Sequence, residues 1–502
     1  MKIQQFLEHH GVARNPFSEE DAQTDPVFKD HCIASTFHPT WDKIYGDPRE
    51  PSTSVVFGEK GAGKTAIRLQ IARHLQQYNQ AHPSERLFVV HYDDFNPFLD
   101  RFRERLSARR RRRADRVLQE WRLWDHMDAM LSVAVTGLVD RVLETNQPSP
   151  LIDADIDQQA IDNLDRHQAR DLLLLAACYD GSTATTFKDR WQALRKRLRF
   201  STLYAKWPLA LGIASTVAVL ALVIGLSVSG HAKLLTWYWV YLALAAAGWG
   251  PWCWRWWKAF WRSRRILRQM RLSNRDPRSL RQVILQFTTP EIVAQPLPDK
   301  ESTDDRYEML MKLQGVLQSL SFRGIIVLVD RLDEPHLING SAELMKALLW
   351  PMLDNKFLKH PGLGLKIMAP IELTRFIDRE DRDFYQRARL DKQNMVSAFQ
   401  WTGEALYDVA NARLAACAIE GQQPVLRGFI HDSVSDRRMI EALRQLRTPR
   451  HLFKFLYRLF VSHCNAHIDG DPVWTISAEA FESTLALYQR DQDAFDRGMG
   501  AG

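Results

Sequence analysis

Two long, uncharged apolar stretches near the middle of the chain constrain its fold more than any other feature. The first is Trp207 to Val228, WPLALGIASTVAVLALVIGLSV, and the second is Leu234 to Trp254, LLTWYWVYLALAAAGWGPWCW. A helix needs roughly 20 apolar residues to cross the hydrocarbon core of a bilayer, and both stretches meet that length. Because only residues 229–233 separate them, we expect a transmembrane hairpin of two helices. The alternative is a pair of buried core helices, which seldom run this long without a charge.

Aromatic and basic residues flank this hairpin. Nine of the 16 tryptophans lie between Trp207 and Trp261, and such amphipathic rings settle at membrane interfaces. The basic residues before it are Arg195, Lys196, Arg197, Arg199 and Lys206, and those after it are Arg255, Lys258, Arg262, Arg264, Arg265, Arg268 and Arg271. Cytoplasmic flanks carry the excess of Lys and Arg, and residues 1–15 have no apolar signal-peptide core. We therefore expect a multi-pass protein of the cell inner membrane with both termini in the cytoplasm.

A glycine-rich motif lies near the start of the chain. The apolar run Ser54 to Phe57 is followed by GEKGAGKT and then by apolar residues at helical spacing, so the motif lies between a strand and a helix. This G-x-x-x-x-G-K-T spacing is that of a phosphate-binding P-loop, in which backbone amides surround phosphates, the lysine reaches the β- and γ-phosphates and the threonine hydroxyl binds Mg²⁺. The predicted nucleotide-binding residues are Gly58, Gly61, Ala62, Gly63, Lys64, Thr65 and Ala66.

A second acidic segment follows the long apolar run Gly324 to Asp330, GIIVLVD. Such a run suits a central parallel strand that is buried on both faces. An aspartate at its carboxyl end is where P-loop proteins hold Mg²⁺, so Asp330 and Thr65 are the predicted metal residues. Asp333 or Glu334 is expected to orient the attacking water. Alternatively, both residues cap a helix that begins with Pro335.

The order of these features resembles the KAP family of P-loop NTPases, which insert membrane helices between their two nucleotide motifs. GEKGAGKT, the hairpin and IIVLVDRLDE carry this resemblance, together with a Pro449–Arg450 pair similar to the lid arginine of the related STAND and AAA+ ATPases. The resemblance implies ATP as the nucleotide, ATP hydrolysis and a homo-oligomer at a membrane. It also implies that Arg450 contacts the γ-phosphate as a catalytic residue; the alternative is a solvated arginine after a first-turn proline. Arg331 directly after Asp330 departs from the Asp-Glu pair of typical AAA+ proteins.

The predicted fold is an α/β P-loop NTPase with a parallel β-sheet, a helical insertion with the transmembrane hairpin, and a C-terminal α-helical lid. The expected segments are an N-terminal segment (1–50), the first NTPase half (51–105), a helical insertion (106–202), the hairpin (203–256), a juxtamembrane basic helix and linker (257–300), the second NTPase half (301–400) and the lid (401–502).

Composition leaves several functions open. Five scattered cysteines without a CxxC pair disfavour a zinc site and a disulfide framework. A net charge of +7, with five consecutive arginines from Arg109 to Arg113, suits nucleic acid, anionic lipid or a solvated helix face. The leading prediction is a membrane-anchored ATPase that acts as a nucleotide-dependent switch, with a role in bacterial defence or signalling that the resemblance to the KAP family implies. The alternatives are an ATP-binding scaffold or oligomeric membrane effector with negligible hydrolysis, and an origin-recognition-like ATPase on DNA.

Overall fold

The chain folds into two compact units. The computed structural model describes residues 1–144, 152–153, 156–183, 186–229, 237–273, 275–293, 295–353, 356–388, 394–468, 470 and 472–496. One unit comprises Met1–Pro83 with Ile326–Gly502, and the other comprises Ser84–Ile325.

The architecture is mixed α/β around a five-stranded parallel sheet with one antiparallel edge strand. The strands are β1 Ser54–Gly58, β2 Arg86–Tyr92, β3 Ile152–Asp153, β4 Phe322–Val329, β5 Leu363–Pro370 and β6 Asn394–Val396. Their hydrogen-bonded order is β3-β2-β4-β5-β1-β6. In the register, Val56 of β1 lies opposite Met368 of β5 and Val396 of β6.

The described α-helices follow in chain order. They are α1 Ile3–His9, α2 Trp41–Tyr45, α3 Lys64–Ala81, α4 Asn96–Arg105, α5 Ala108–Arg111, α6 Ala114–Gln119, α7 Leu123–Val142, α8 Gln158–Asp162, α9 Arg166–Tyr179, α10 Phe187–Arg197, α11 Trp207–Val228, α12 Tyr238–Gln269, α13 Pro277–Ile284, α14 Thr289–Val293, α15 Asp304–Ser319, α16 Ala342–Leu353, α17 Thr374–Ile377, α18 Arg382–Ala388, α19 Gly403–Ala416, α20 Asp436–Leu446, α21 Pro449–Ala466 and α22 Ala478–Asp496.

The apolar runs of the sequence coincide with the central strands. β1 and β5 are buried along their whole length, and in β4 every residue except Arg323 is buried. Such two-sided burial explains why these strands read as continuous apolar runs instead of alternating ones. The run 324–330 is displaced slightly from the observed β4, which ends at Val329 and leaves Asp330 just beyond the strand.

The N-terminal segment belongs to the core of the first unit. Phe6 and Leu7 of α1 are buried in one hydrophobic cluster with the helices α19 to α22. Arg413 of α19 reaches back to this segment, where it pairs with the buried Asp25 at 2.5 Å and donates to the carbonyl of Pro16 at 2.7 Å. Residues 6–32 and the C-terminal helices therefore share one core.

The second unit contains a break between two consecutive helices. α9 ends at Tyr179 and α10 begins at Phe187. Asp180 lies at the break and accepts a hydrogen bond from Nε of Arg190 at 2.7 Å. This buried ion pair therefore links α10 to the end of α9 across the break.

One described helix is long and apolar enough to cross a membrane. It covers Leu203–Val228, including the 3₁₀ turn that precedes α11, and only 6% of its most apolar window is buried. Many of its apolar side chains face outward, among them Ile213, Val217 and Ile224 at 51%, 59% and 61% exposure.

The second apolar stretch lies partly in α12, which packs against α11. Trp249 donates its indole N–H to the Thr216 hydroxyl at 3.0 Å, and Gly212 lies against the same ring. α12 starts at Tyr238 after the non-helical Trp237, and residues 230–236 lie outside the described part of the chain. Its uncharged part is therefore shorter than the stretch in the sequence. It is also rich in Trp and Tyr, which are less apolar than the aliphatic residues of α11.

Candidate functional site

The glycine-rich motif forms a turn between β1 and α3 in the first unit. Gly61 and Gly63 have φ values of +86° and +96°, a region that glycine adopts without a Cβ penalty. A Cβ at Gly61 would lie 2.6 Å from Cβ of Arg450, so this position also excludes a side chain by contact. Because α3 begins at Lys64, the turn leads directly into the positive end of a helix dipole, where anions are favoured.

Lys64 lies inside this turn. Its ammonium donates hydrogen bonds to the carbonyl oxygens of Gly58 at 2.7 Å and Glu59 at 2.9 Å. Burial lowers the pKa of Lys64, and the negative charges of Asp330 and Asp333 act against that effect. Two of the three N–H groups therefore have acceptors among the described residues, and the third is available to an anion in the turn.

Asp330 joins the end of β4 to the start of α3. The Thr65 hydroxyl donates to Oδ2 of Asp330 at 2.9 Å, although the two residues are 265 positions apart in the chain. The same oxygen lies 3.2 Å from Nε of Arg68, and the other accepts from the backbone N–H of Arg331 at 2.9 Å. Burial raises the pKa of Asp330, and the Arg68 guanidinium opposes that rise.

The donor set around Thr65 and Asp330 suits Mg²⁺ better than metals that need a full protein cage. Among the described residues there is no group of three or more His, Cys, Asp or Glu arranged to hold a metal ion. Mg²⁺ keeps several waters and is commonly bound through one or two protein oxygens together with substrate phosphates. One hydroxyl and one carboxylate in contact beside a glycine turn match that pattern.

Asp333 and Glu334 lie at the rim of the same cleft. Oε1 of Glu334 is 3.5 Å from Nε of Arg331, and its side chain is 57% exposed. Burial is the main cause of a raised pKa at Glu334, opposed by the Arg331 charge. No helix starts at Pro335; the chain turns there and the next helix begins at Ala342. The helix-capping alternative for these two carboxylates is therefore wrong.

Arg450 enters the cleft from the first turn of α21. Pro449 occupies the start of that helix, and the Thr448 side chain caps it by accepting from the backbone N–H of His451. The backbone N–H of Arg450 donates to the carbonyl of Gly61 at 3.4 Å. Its guanidinium Nε lies 3.7 Å from Oε2 of Glu20. The arginine is thus beside the glycine turn and paired with a carboxylate of the N-terminal segment.

An aromatic wall, which sequence reasoning missed, completes the cleft. It consists of His38, Phe399 and Trp401. The His38 ring stacks on Phe399 at 3.9 Å and stands perpendicular to Trp401, whose indole N–H donates to the Ala62 carbonyl at 2.7 Å. These residues come from the N-terminal segment and from the chain after β6, and no motif marks them. Only the folded chain brings them to the glycine turn.

The protonation state of His38 follows from its hydrogen bonds. Nδ1 accepts from the backbone N–H of Thr40 at 3.1 Å, so Nε2 carries the proton and donates to the carbonyl of Gln400 at 2.8 Å. Burial lowers the pKa of His38 to about 4. The ring is therefore neutral at pH 7.

Most of the predicted site residues line one cleft. They are Gly61, Gly63, Lys64, Thr65, Ala66, Asp330, Asp333, Glu334 and Arg450. Gly58 and Ala62 belong to the turn itself, where their carbonyls accept from Lys64 and Trp401. Residues of the N-terminal segment that were not predicted, including Glu20 and Asp21, line the cleft as well.

No family model matches the chain, and searches of curated proteins and of solved structures found no match. The geometry of the cleft is therefore the basis for a functional assignment.

Proposed function

We propose that this protein is a membrane-anchored P-loop NTPase of the KAP type that binds Mg·ATP and acts as a nucleotide-dependent switch. The observation that carries the proposal is the contact of Thr65 with Asp330 beside Lys64 and the two positive-φ glycines. Two sequence motifs predicted separately thus come together in one cleft, which is what a P-loop site requires.

The cleft offers a partner for each part of ATP. The turn from Gly58 to Thr65 and the Lys64 ammonium suit the phosphates, while Thr65 and Asp330 suit Mg²⁺. When bound, Mg²⁺ would neutralise charge that develops on the phosphate oxygens. The partly exposed ring of Trp401, which lines the cleft, offers a face on which a purine base can stack.

Hydrolysis depends on the carboxylates at the rim. In this proposal Asp333 or Glu334 orients a water and accepts its proton as the water oxygen attacks the γ-phosphorus, and the bond to the β,γ-bridging oxygen breaks to release ADP and inorganic phosphate. Arg450 stabilises the charge on the γ-phosphate after it separates from Glu20. This exchange of partners links nucleotide binding to the N-terminal segment and the lid, since Glu20 belongs to the first and Arg450 to the second.

Both halves of the site must lie on the same side of the membrane. We propose that α11 and α12 form the inserted hairpin, with both termini in the cytoplasm and the protein in the inner membrane. The outward-facing apolar side chains of α11 support insertion, and the packing of Trp249 on α11 supports a paired hairpin. Because the hairpin is inserted between Lys64 and Asp330, an even number of crossings returns the chain to one side. A homo-oligomer remains the expected assembly.

ATP turnover by the detergent-purified full chain tests hydrolysis. We expect slow turnover that requires Mg²⁺, is lost in Lys64→Ala and falls in Glu334→Gln or Asp333→Asn. Particle mass with and without ATP, measured by light scattering, tests the assembly. Turnover equal in the wild type and Lys64→Ala would refute an ATPase at this site.

The pairing of Glu334 with Arg331 favours a second candidate, an ATP-binding scaffold with negligible hydrolysis. A carboxylate occupied by an ion pair and exposed to solvent is a weak base for activating water. Tight Mg·ATP binding without turnover, unchanged in Glu334→Gln, supports this candidate.

A further inference from the structure

A cavity of about 500 Å³ lies beside α12, just after its apolar part. It is in the second unit and is lined on its other side by α13, α14 and the residues between and after them. On the α12 side, the cavity is lined by a set of aromatic residues and a set of basic residues. The aromatic residues are Trp254, Trp257 and Trp261, and the basic residues are Arg255, Lys258, Arg262 and Arg265.

Hydrogen bonds of Arg255 show where this cavity lies along the length of α11. Its guanidinium donates to the carbonyl of Ala205 at 2.6 Å, just before α11 begins at Trp207, and to that of Phe287 at 2.8 Å. The point where α12 changes from uncharged to basic therefore lies level with the start of α11. In the proposed topology this is the cytoplasmic boundary of the bilayer, and the cavity opens at the depth of lipid headgroups.

The polar groups of the cavity favour an anion at one end. Lys258 lies over the ring of Trp254 at 4.9 Å, and Arg262 has no hydrogen-bond or ion-pair partner within the described residues. Arg265 lies 3.8 Å from Asp299, so the part of the cavity next to Arg265 already contains a carboxylate. Lys258 and Arg262 are four residues apart, so they lie about 6 Å apart along one helix face. Two cations at that spacing suit a phosphodiester.

The walls of the cavity are apolar and exposed. Trp254, Trp257 and Trp261 are 60%, 53% and 52% exposed, and Val293 of α14 is 61% exposed. Exposed tryptophans next to basic side chains are typical of a membrane interface, where indole rings contact the glycerol region and basic residues contact phosphates. The exposed apolar face of α11 begins at the same level, so a lipid whose headgroup enters the cavity keeps its acyl chains in the bilayer.

We propose that this cavity binds an anionic phospholipid, with the headgroup phosphate between Lys258 and Arg262 and the glycerol region against Trp257 and Trp261. This site rests on the proposed membrane insertion of α11 and α12 but not on nucleotide binding. The site lies on α12, the helix that leaves the membrane, so the contacts of this helix would depend on the lipid composition of the bilayer. α12 continues beyond the cavity to Gln269 without a break.

Native mass spectrometry of the full chain tests the site. The protein is released from nanodiscs that contain phosphatidylglycerol and phosphatidylcholine in equal amounts, and the lipids it retains are identified. The test variant is Lys258→Gln with Arg262→Gln. The matched control, Arg264→Gln with Arg268→Gln, removes the same charge from the same helix at positions outside the cavity.

We expect the wild type and the control to retain phosphatidylglycerol in preference to phosphatidylcholine. The cavity variant should bind it about 30-fold more weakly, because each basic side chain near a lipid surface contributes roughly one factor of five. A variant with Lys258→Arg and Arg262→Lys keeps both charges and should retain the lipid. Equal loss in the test and control variants, or no preference for phosphatidylglycerol in the wild type, would overturn the proposal.

Two further measurements distinguish a failure of the proposed lipid site from a failure of the proposed function. Extraction of cell membranes with alkaline carbonate reports insertion, and Mg·ATP binding in detergent reports the nucleotide cleft. Wild-type protein that is released by carbonate refutes the insertion on which the lipid site rests. Wild-type protein that stays in the membrane and binds ATP, with no selective lipid loss in the cavity variant, refutes the lipid site alone.

Discussion

Replacing Asp330 by asparagine tests whether the buried contact between β4 and α3 holds the nucleotide site together. The carboxylate and the side chain of Arg68 are each 3% exposed and lie 3.2 Å apart. The change removes the negative charge while leaving an oxygen that can still accept from Thr65. It therefore removes the negative charge that lies 3.2 Å from the buried Arg68 guanidinium.

For Asp330→Asn, the expected loss in the free energy of unfolding is about 3 kcal/mol. This is the lower end of the range of about 3–5 kcal/mol for removing one partner of a buried ion pair. Thr65→Val, which removes only a neutral donor to a charged acceptor, should cost about 1.5–3 kcal/mol. Arg68→Met leaves the carboxylate unpaired, but its pKa then rises further and proton uptake limits the loss. The double variant Asp330→Asn with Arg68→Met should lose less stability than the sum of its two single losses. We expect a difference of about 1.5 kcal/mol or more, since the double variant removes the same ion pair only once.

Hydrogen–deuterium exchange of the nucleotide-free protein, resolved to peptides of α3, measures this stability locally. A local measurement is needed because a chain with two compact units does not unfold in one step. Peptides of α22 in the same unit serve as an internal reference. Unchanged protection of α3 in Asp330→Asn, or single losses that add fully in the double variant, would refute the reasoning.

Three other predictions concern single residues. Gly61→Ala should lower Mg·ATP affinity at least 10-fold in a calorimetric titration, because the new Cβ would lie 2.6 Å from Cβ of Arg450 at a φ of +86°; unchanged affinity contradicts the turn geometry. His38 has a folded pKa of about 4 against an ordinary 6.5, so the unfolded chain binds more protons in that interval and stability should fall from pH 6.5 to pH 4 by up to about 3 kcal/mol. His38→Gln should flatten this loss in urea titrations of the first unit. Burial lowers the pKa of Lys366 from 10.5 to about 7, so stability should rise with pH across that interval. Lys366→Met should remove the rise. Equal rises of stability with pH in the variant and in the wild type would contradict this prediction.

The sequence predicted those parts of the fold that depend on local pattern. The apolar run 324–330 coincides with most of β4, which ends at Val329. The strand–turn–helix around the glycine motif was placed correctly, because glycine spacing and apolar periodicity are both local signals. The Asp330 contact with Thr65 could be anticipated from the rule that ligand-binding carboxylates follow buried parallel strands.

The parts that were missed depend on contacts between distant segments. β6 is three residues long and has no periodicity of its own; it forms because β1 offers a free edge. Arg68 reads as one more polar residue of an amphipathic helix, and only its burial beside Asp330 reveals its role. His38 and Glu20 reach the cleft because the N-terminal segment packs on the lid helices, which no local pattern indicates.

The central claim is that the cleft binds Mg·ATP through Lys64, and isothermal calorimetry on the full chain in detergent tests it most directly. Lys64→Ala is compared with Lys359→Ala, which removes an exposed lysine of the same unit that does not line the cleft. We predict Mg²⁺-dependent ATP binding by the wild type and Lys359→Ala, and binding weaker by about 10- to 100-fold in Lys64→Ala, the equivalent of one hydrogen bond to a charged group. Equal affinity in all three proteins, or no binding of ATP by the wild type, would contradict the account.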